Sequence, residues 1–275
     1  VSERDLFSLQ NKNKNRNAPK FGAFFVCLYF SFLQKMHHKT EGIVLSTTKY
    51  NDRFSIAHIF TREFGRVSYL VPKGGGKKSK IKPLIFAPLT ILKLEVEHLP
   101  LRDIQRLKEA ERAVLFYDIT TDVTKISLVF FLSEFLSKII RETDDSALLY
   151  EYLRTSFEVL EETKTGLANF HLTFLLGLTR FLGIYPNFEN HSRGCYFDII
   201  NGTFTRNAPA HKYFIRGIQS DYLHTFSRIN FSNMQLYKMS RQDRNLILDY
   251  LITYYQLHLY DFSVIKSLDI LKELF

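Results

Sequence analysis

The stretch TEGIVLSTTKYNDRFSIAHIFTREFGRVSYLVPKGGGKKSK, residues 40–80, decides the fold of the first part of the chain. The first of its three short runs, residues 40–50, is rich in β-branched residues, and apolar and polar residues alternate in the other two, residues 54–61 and 66–71. The dipeptide Asn51-Asp52 ends the first run, the sequence REFG ends the second, and Pro72 with the glycines after it ends the third. Alternation with a period of two residues is typical of strands that have one buried face. The stretch therefore predicts three consecutive strands joined by tight turns.

Two further strands follow this stretch. In ILKLEVE, residues 91–97, every second residue from Leu92 onward is apolar and the residues between them are charged. A fifth strand around Asp103–Glu109 has a less regular alternation. Five short strands within residues 36–115 predict a small antiparallel barrel, for which a five-stranded OB-type barrel is the economical choice. An SH3-like barrel would give a similar pattern.

Helical periodicity replaces this alternation after about Asp118. The segments with helical spacing of apolar residues are 122–140, 147–162, 168–186, 240–259 and 262–274. Ser240 is the predicted N-cap of the fourth segment. Asn201-Gly202 between apolar flanks signals a hairpin, so we expect a small β insertion at about residues 187–216. The predicted fold class is α+β with several domains: an N-terminal five-stranded OB-type β-barrel, then an α-helical domain over residues 116–275 with a β-hairpin insertion.

Residues 1–35 do not share this patterning. They join a polar, basic stretch to the apolar run FGAFFVCLYFSFL, which has thirteen residues, whereas a helix needs ~20 residues to span a bilayer. The order is that of a signal peptide, but no small-x-small cleavage pattern follows the run. We therefore predict an over-extended or disordered N-terminal segment, with Met36 as the initiator and no membrane association.

Charge is distributed unevenly along the chain. The net charge is +9, residues 36–110 carry fourteen basic and seven acidic groups, and residues 111–275 carry seventeen and nineteen. Such asymmetry is typical of a protein that binds a polyanion, either nucleic acid or an anionic membrane, with one half. A solvated basic face is the simpler alternative. The two cysteines, Cys27 and Cys195, lie too far apart in sequence to indicate a disulfide framework, which favours a reducing cytoplasm.

The glycine-rich segment VPKGGGKKSK, residues 71–80, looks like a nucleotide-binding loop but breaks its frame. Val71 stands where the first glycine is required and Lys78 where the hydroxyl is required. From Arg62 to Lys82 there are seven basic residues and one acid. Cations spread along a loop suit the changing shape of a single strand better than one fixed phosphate. The predicted nucleic-acid site consists of Arg62, Arg66, Tyr69, Lys73, Lys77, Lys78, Lys80 and Lys82.

Patterns for metal binding and catalysis are weak. Cys195 has His191 and His211 near it in sequence, but a structural zinc needs four ligands and usually has paired cysteines. The sequence contains no G-x-S-x-G, no H-E-x-x-H and no complete Walker lysine frame. We therefore expect no metal, no cofactor and no catalytic site, and interpret Cys195 as a buried thiol.

Three segments resemble the bacterial RecO family of DNA repair and recombination mediators: residues 40–80, FHLTFLLGLTRFLGIYPNF at 170–188, and YYQLHLYDFSVIKSLDIL at 254–271. The resemblance runs from about Met36 to the last residue. It implies an OB domain that binds single-stranded DNA, and duplex DNA more weakly, followed by a helical domain. In many members an insertion holds zinc through four cysteines. Here Cys195 stands alone, so zinc is not carried over.

The resemblance also implies partners, namely RecR, the single-stranded DNA-binding protein with its acidic C-terminal tail, and RecA, which is loaded onto DNA. For the acidic tail we expect cations beside an apolar groove between helices, near the start of the helix Leu246–Leu259, where the helix dipole favours an anion. The predicted partner-binding set is Arg216, Arg228, Lys238, Arg241 and Arg244.

Two other functional classes stay open at this point. An RNA- or ribosome-associated OB protein would have the same barrel and the same charge pattern. An enzyme with an unrecognised site would need acid, base or nucleophile geometry that the sequence does not display. Competition binding among single-stranded DNA, duplex DNA and RNA separates the first class from a DNA mediator, and a turnover assay tests the second.

Overall fold

The first part of the chain folds into a closed barrel. A computed structural model describes residues 37–74, 81–99, 102–141, 147–260 and 262–275. The barrel strands are β1 His37–Lys49, β2 Phe54–Thr61, β3 Gly65–Pro72, β4 Ile91–Glu97 and β5 Ile104–Arg112. Their order around the barrel is β1-β2-β3-β5-β4, with β3 and β5 parallel and the other pairs antiparallel. The predicted OB-type barrel is confirmed.

Strands β1 and β2 contribute to two separate hydrophobic cores. Ala57 and Ile59 of β2 point into the barrel, whereas Phe60 packs in the core that the helices share. Strand β1 is divided in the same way, because Val44 fills the barrel while its neighbours Ile43 and Leu45 pack with the helices. Both faces of these strands are therefore covered, one by the barrel and the other by the helical domain.

The second part of the chain is mainly helical. The helices are α1 Asp118–Thr121, α2 Val123–Ile139, α3 Ala147–Glu162, α4 Phe170–Phe181, α5 Ile218–Phe226, α6 Arg241–His258 and α7 Leu268–Leu274. Helix α2 packs against β1, where the Ser133 hydroxyl donates to the main-chain oxygen of Leu45. Among the described residues, no helix combines the length and the apolar character that crossing a membrane requires.

The helix ends follow from local polar contacts. Ser240 caps α6 as predicted, in a capping box where its hydroxyl accepts from the Asp243 N–H and the Asp243 carboxylate accepts from the Ser240 N–H. The last helix is shorter than the predicted segment 262–274. The Glu134 carboxylate of α2 accepts the N–H groups of Lys266 and Ser267, both at 2.9 Å. The chain is therefore bonded to α2 at these two residues, and α7 begins after them.

A small sheet interrupts the helices, as the Asn201-Gly202 signal predicts. Strands β6 Tyr196–Asp198 and β7 Thr203–Thr205 form the hairpin, and β8 Phe214–Ile215 pairs with the other side of β6. Gly202 has a φ of 62°, a left-handed conformation that glycine adopts readily. The insertion is therefore a three-stranded sheet and not only a hairpin.

Candidate nucleic-acid interface

The turn between β1 and β2 lies next to the end of β3. The Asn51 side-chain oxygen accepts the N–H groups of Arg53 at 2.9 Å and Phe54 at 2.8 Å, an arrangement that fixes the turn. The Lys73 N–H donates to the Arg53 carbonyl at 2.9 Å, and the Lys73 ammonium donates to the Asn51 carbonyl. The first basic residue of the glycine-rich segment is thus held against this turn.

The chain that follows the glycine-rich segment returns to the same end of the barrel. The Thr47 hydroxyl of β1 donates to the Phe86 carbonyl at 3.1 Å. Phe86 is buried in the barrel core, and the half-buried Ile81 and Ile85 pack against it. Lys82 lies within this segment, residues 81–86, and is exposed. Lys82 is therefore near the β1–β2 end of the barrel. We call the resulting surface the basic rim, which consists of Lys49, Tyr50, Arg53, Lys73 and Lys82.

The basic rim presents positive charge and one aromatic ring to solvent. Lys49, Arg53 and Lys82 are exposed, Lys73 is half-buried, and Tyr50 is 57% exposed. Asp52 is an acid on the same turn, but the four cations of the rim outnumber it and the net charge of the described rim is positive. Cations in such a cluster exchange condensed counterions for phosphates when a nucleic acid binds. Three predicted members, Lys77, Lys78 and Lys80, lie outside the described residues.

Arg62 and Arg66 lie at the opposite end of the β2–β3 hairpin, so their assignment to this site is corrected. Strand β2 has eight residues, and at ~3.3 Å per residue its ends lie roughly 23 Å apart. Arg62 is 3.1 Å from Glu151 of α3. It lines a depression together with five glutamates and two other basic residues, and this excess of acidic groups does not suit a phosphate. Arg66 donates to the carbonyls of Ser137 at 2.7 Å and Ile140 at 2.8 Å.

Tyr69 is also removed from the predicted site. Its side chain has 0% exposure and lies inside the barrel, and burial raises the pKa of its hydroxyl. It precedes Leu70 and follows Ser68 on a strand whose alternate residues face inward. The prediction that this ring faces the nucleic acid is therefore wrong, because Tyr69 occupies an inward position of β3.

The predicted partner-binding residues lie around α5 and at the start of α6, and two of them are engaged within the fold. Arg241 donates to the Lys272 carbonyl at 2.9 Å. Arg244 donates to the main-chain oxygens of Met239 at 2.6 Å and Phe275 at 2.6 and 2.9 Å, and burial lowers the pKa of its guanidinium. These two arginines hold the end of α7 against α6.

The other three predicted cations are exposed. Arg216 precedes α5 and Arg228 follows it, so the nine residues of that helix separate the two by about 13 Å. Lys238 lies just before the N-cap of α6. Within the predicted set, Lys238, Arg241 and Arg244 all lie near the start of α6.

The histidine and cysteine side chains of the insertion are engaged in ordinary contacts. His191 Nε2 lies 2.8 Å from an Asp221 carboxylate oxygen, and the His191 and His224 rings stack at 4.1 Å. Burial lowers the pKa of His224, and His191 and Arg228 add to that effect. Cys195 is buried and its thiol lies 3.7 Å from the Ser220 hydroxyl. Within the described ranges, no three His, Cys, Asp or Glu side chains are grouped so that they could hold a metal ion.

Sequence reasoning did not place Lys49, Tyr50 or Arg53 in the nucleic-acid site. A signal for them exists, because a hairpin that pairs Phe54 with Pro72 brings the residues before Phe54 beside those after Pro72. The turn dipeptide Asn51-Asp52 marks where β2, the hairpin partner of β3, begins. Charges that are about twenty residues apart in sequence thus become neighbours at one end of the barrel.

Two family models match most of the chain. The model described as "Recombination protein O N terminal" matches residues 36–116, and the model described as "Recombination protein O C terminal" matches residues 120–267. The first match contains all the barrel strands, and the second contains the small sheet and α2 to α6. The basic rim lies within the first match.

Curated relatives cover nearly the same range. The chain is 42% identical over 240 residues to the DNA repair protein RecO of Phocaeicola vulgatus, a match that covers 87% of this chain and 100% of that protein. It is 41% identical over 241 residues to the DNA repair protein RecO of Bacteroides fragilis, with the same coverage. It is 34% identical over 244 residues to that of Flavobacterium psychrophilum, again over 87% of this chain and 100% of that protein.

Proposed function

Because the chain belongs to the RecO family of DNA repair proteins, we propose that it is a recombination mediator that binds single-stranded DNA through the basic rim. The observation that carries this proposal is the meeting of Lys49, Arg53, Lys73 and Lys82 at one end of the closed barrel. Four cations from three separate segments neutralise several phosphates of one strand, which is the main source of affinity for a nucleic acid.

Single strands suit the basic rim better than a duplex does. The rim is built on turns at the end of a small barrel, and it offers Tyr50 as an aromatic face beside the cations. Proteins that bind single strands combine a basic track with aromatic side chains on which bases stack. In a duplex the bases are paired and stacked on one another, so only the phosphates are available to the rim. We therefore expect duplex DNA to bind more weakly.

The proposed activity is binding and annealing, with no bond made or broken in the DNA. Neutralised phosphates repel a second strand less, which allows complementary bases to pair. In this proposal the protein acts with RecR to load RecA onto DNA that is coated by single-stranded DNA-binding protein. The acidic tail of that coating protein is captured by cations of the helical domain, Lys238 and Arg241 among them.

A salt titration with matched variants tests the proposal. The triple variant Lys49→Gln, Arg53→Gln, Lys82→Gln removes three exposed cations of the basic rim. At ~0.7 released ions per single-strand contact, the slope of log Kd against log salt is expected to flatten by about 2. The measurement is fluorescence anisotropy with a labelled oligo(dT) strand at several KCl concentrations.

The control variant removes the same charge elsewhere on the barrel. Lys39→Gln, Lys93→Gln, Lys108→Gln alters three exposed lysines, of which Lys39 stands ten residues before Lys49 on β1. Its salt slope is expected to match that of the wild type. Equal slopes for both variants would contradict the proposal, and tighter binding of RNA than of DNA of the same sequence would favour the RNA-binding class instead.

A further inference from the structure

Tyr50 is an unusual residue for its position. It is 57% exposed, and Leu84 is the other large apolar side chain that is strongly exposed on the described part of the barrel. An isolated exposed apolar residue needs no explanation. Tyr50, however, stands between the exposed cations Lys49 and Arg53 on the turn that carries the basic rim. An aromatic ring flanked by cations is the combination that single-strand binding surfaces use.

The backbone that carries Tyr50 is fixed by three sets of contacts. The N–H groups of Tyr50 and Asn51 donate to the Phe54 carbonyl at 3.3 and 3.0 Å. The Asn51 side chain accepts two N–H groups of the turn, and Lys73 bonds the turn from the neighbouring strand. The ring therefore projects from an ordered turn, and a tyrosine side chain has only two torsions to restrict when it makes a contact. Little conformational entropy opposes stacking at this position.

We propose that Tyr50 is the base-stacking residue of the basic rim and that it gives the protein its preference for single strands over duplex DNA. The inference rests on the proposed function, since the cations must first hold the strand. The phosphates bring the strand to the rim in either form of DNA. Only an unpaired base presents a free face to the tyrosine ring, so the stacking contribution is lost when the strand is paired.

Removal of the ring is the first test. Tyr50→Ala is expected to weaken binding of an oligo(dT) strand by about tenfold, the usual size of one base-to-aromatic contact, and Tyr50→Phe is expected to bind as the wild type does. An abasic strand of the same length has the same phosphates but no bases, so Tyr50→Ala is expected to bind it as tightly as the wild type. The matched control is Leu84→Ala, which removes an apolar side chain that is 86% exposed and has no aromatic face.

A fluorescent reporter gives an independent test in the intact chain. The sequence contains no tryptophan, so Tyr50→Trp introduces a single indole at the proposed contact. Stacking on thymine is expected to quench its emission when oligo(dT) is added, with less quenching by duplex DNA and none by the abasic strand. Tyr117→Trp, at a site that is 74% exposed in the helical domain, is the control and is expected to respond to none of them.

The outcomes separate this inference from the function on which it rests. If Tyr50→Ala binds oligo(dT) normally while the triple glutamine variant of the rim does not, the rim binds DNA and the stacking role is wrong. An equal loss for oligo(dT) and the abasic strand would also overturn it, because Tyr50 would then support the turn only. If wild-type protein binds no single-stranded DNA, the proposed function fails and the role of Tyr50 fails with it.

Discussion

At the scale of single residues, Arg66 links the two domains. Its guanidinium donates to the carbonyls of Ser137 and Ile140, which lie at the C-terminal end of α2 where carbonyls lack partners within the helix. Positive charge is also favoured at that end by the helix dipole. Arg66 belongs to β3 of the barrel. The contact therefore fixes the end of a helix in one domain by a side chain of the other.

Arg66→Ala is expected to lower the free energy of unfolding by about 2 kcal/mol, because hydrogen bonds to charged groups contribute roughly 1.5–3 kcal/mol. Oligonucleotide binding by the folded variant is expected to be unchanged. Urea unfolding followed by circular dichroism measures the first quantity and anisotropy the second. Arg112→Ala, which alters an exposed arginine at the end of β5, is the control. A loss of DNA affinity without a loss of stability would return Arg66 to the nucleic-acid site.

His171 makes the stability of the protein depend on pH. It is buried in α4, and burial, with Arg244 adding to the effect, lowers its pKa to about 3 from the ordinary 6.5. Below pH 6.5 the unfolded chain takes up a proton that the folded chain refuses until about pH 3, so stability falls as the pH falls through this window.

The variants His171→Leu and His171→Gln are expected to reduce that dependence. Between about pH 7.5 and about pH 5.5 the free energy of unfolding of the wild type should fall by about 1.4 kcal/mol more than that of either variant. This difference corresponds to one pH unit of titration below 6.5. Urea midpoints at the two pH values give the comparison. If the stability of the wild type depends on pH as strongly as that of both variants, His171 is not the group responsible for the dependence.

At the scale of elements, α6 and α7 are joined at their ends. The capping box of Ser240 starts α6, and Arg241 and Arg244 in its first turn bond main-chain oxygens at the end of α7. The two arginine side chains thus bond carbonyl oxygens at the C-terminal end of α7, whereas Ser240 caps the N-terminal end of α6. Charge reversal of Arg244 is consequently expected to disturb α7 as well as any ligand.

The acidic-tail prediction is tested without Arg244. Because Arg241 also bonds the Lys272 carbonyl of α7, circular dichroism must show that the variant keeps its helices. Lys238→Glu with Arg241→Glu is expected to weaken binding of a labelled acidic tail peptide by about tenfold, or ~1.4 kcal/mol, because each substitution replaces attraction by repulsion. Binding of oligo(dT) is expected to be unchanged, since the basic rim belongs to the barrel. The control is Arg216→Glu with Arg228→Glu, which makes the same change of charge at the two ends of α5. Equal losses for both double variants would indicate a diffuse charge effect and no localised tail site.

At the scale of the whole molecule, the barrel and the helical domain meet through a polar border around a shared apolar core. Glu41 of β1 pairs with Arg154 and accepts from the Tyr150 hydroxyl of α3 at 3.3 Å, and Arg62 pairs with Glu151. Ile43, Leu45 and Phe60 of the barrel pack among the helices inside this border. The two domains thus support each other, and the basic rim is built from the other end of β2 and β3.

A chain that starts at Met36 is expected to fold and to bind oligo(dT) as the full chain does. The reason is that residues 1–35 show none of the patterning by which a terminus docks, and the match to the first family model begins at residue 36. Thermal unfolding and anisotropy of the two chains side by side provide the measurement. A lower melting temperature or a weaker Kd for the shorter chain would assign residues 1–35 a role in the fold or in the site.

Local sequence pattern by itself determined the secondary structure and indicated the class of ligand that we propose. The β-branched run at residues 40–50 and the alternation in residues 54–61, 66–71 and 91–97 specified strands, and the spacing after Asp118 specified helices. The excess of basic residues around the glycine-rich segment indicated a polyanion. These features depend on neighbours within a few residues, because the side-chain periods of 2.0 and 3.6 are properties of the local backbone. The Ser240 cap and the Asn201-Gly202 turn were predictable for the same reason.

Only the tertiary structure decided which cations lie together. Strand pairing carries Arg62 and Arg66 to one end of the β2–β3 hairpin and Lys73 to the other, where it meets Arg53. Tyr69 shares one face of β3 with Val67 and Val71, and closure of the barrel buries that face. Distances between residues far apart in sequence are set by pairing and packing, and these are not encoded in any single stretch of the chain.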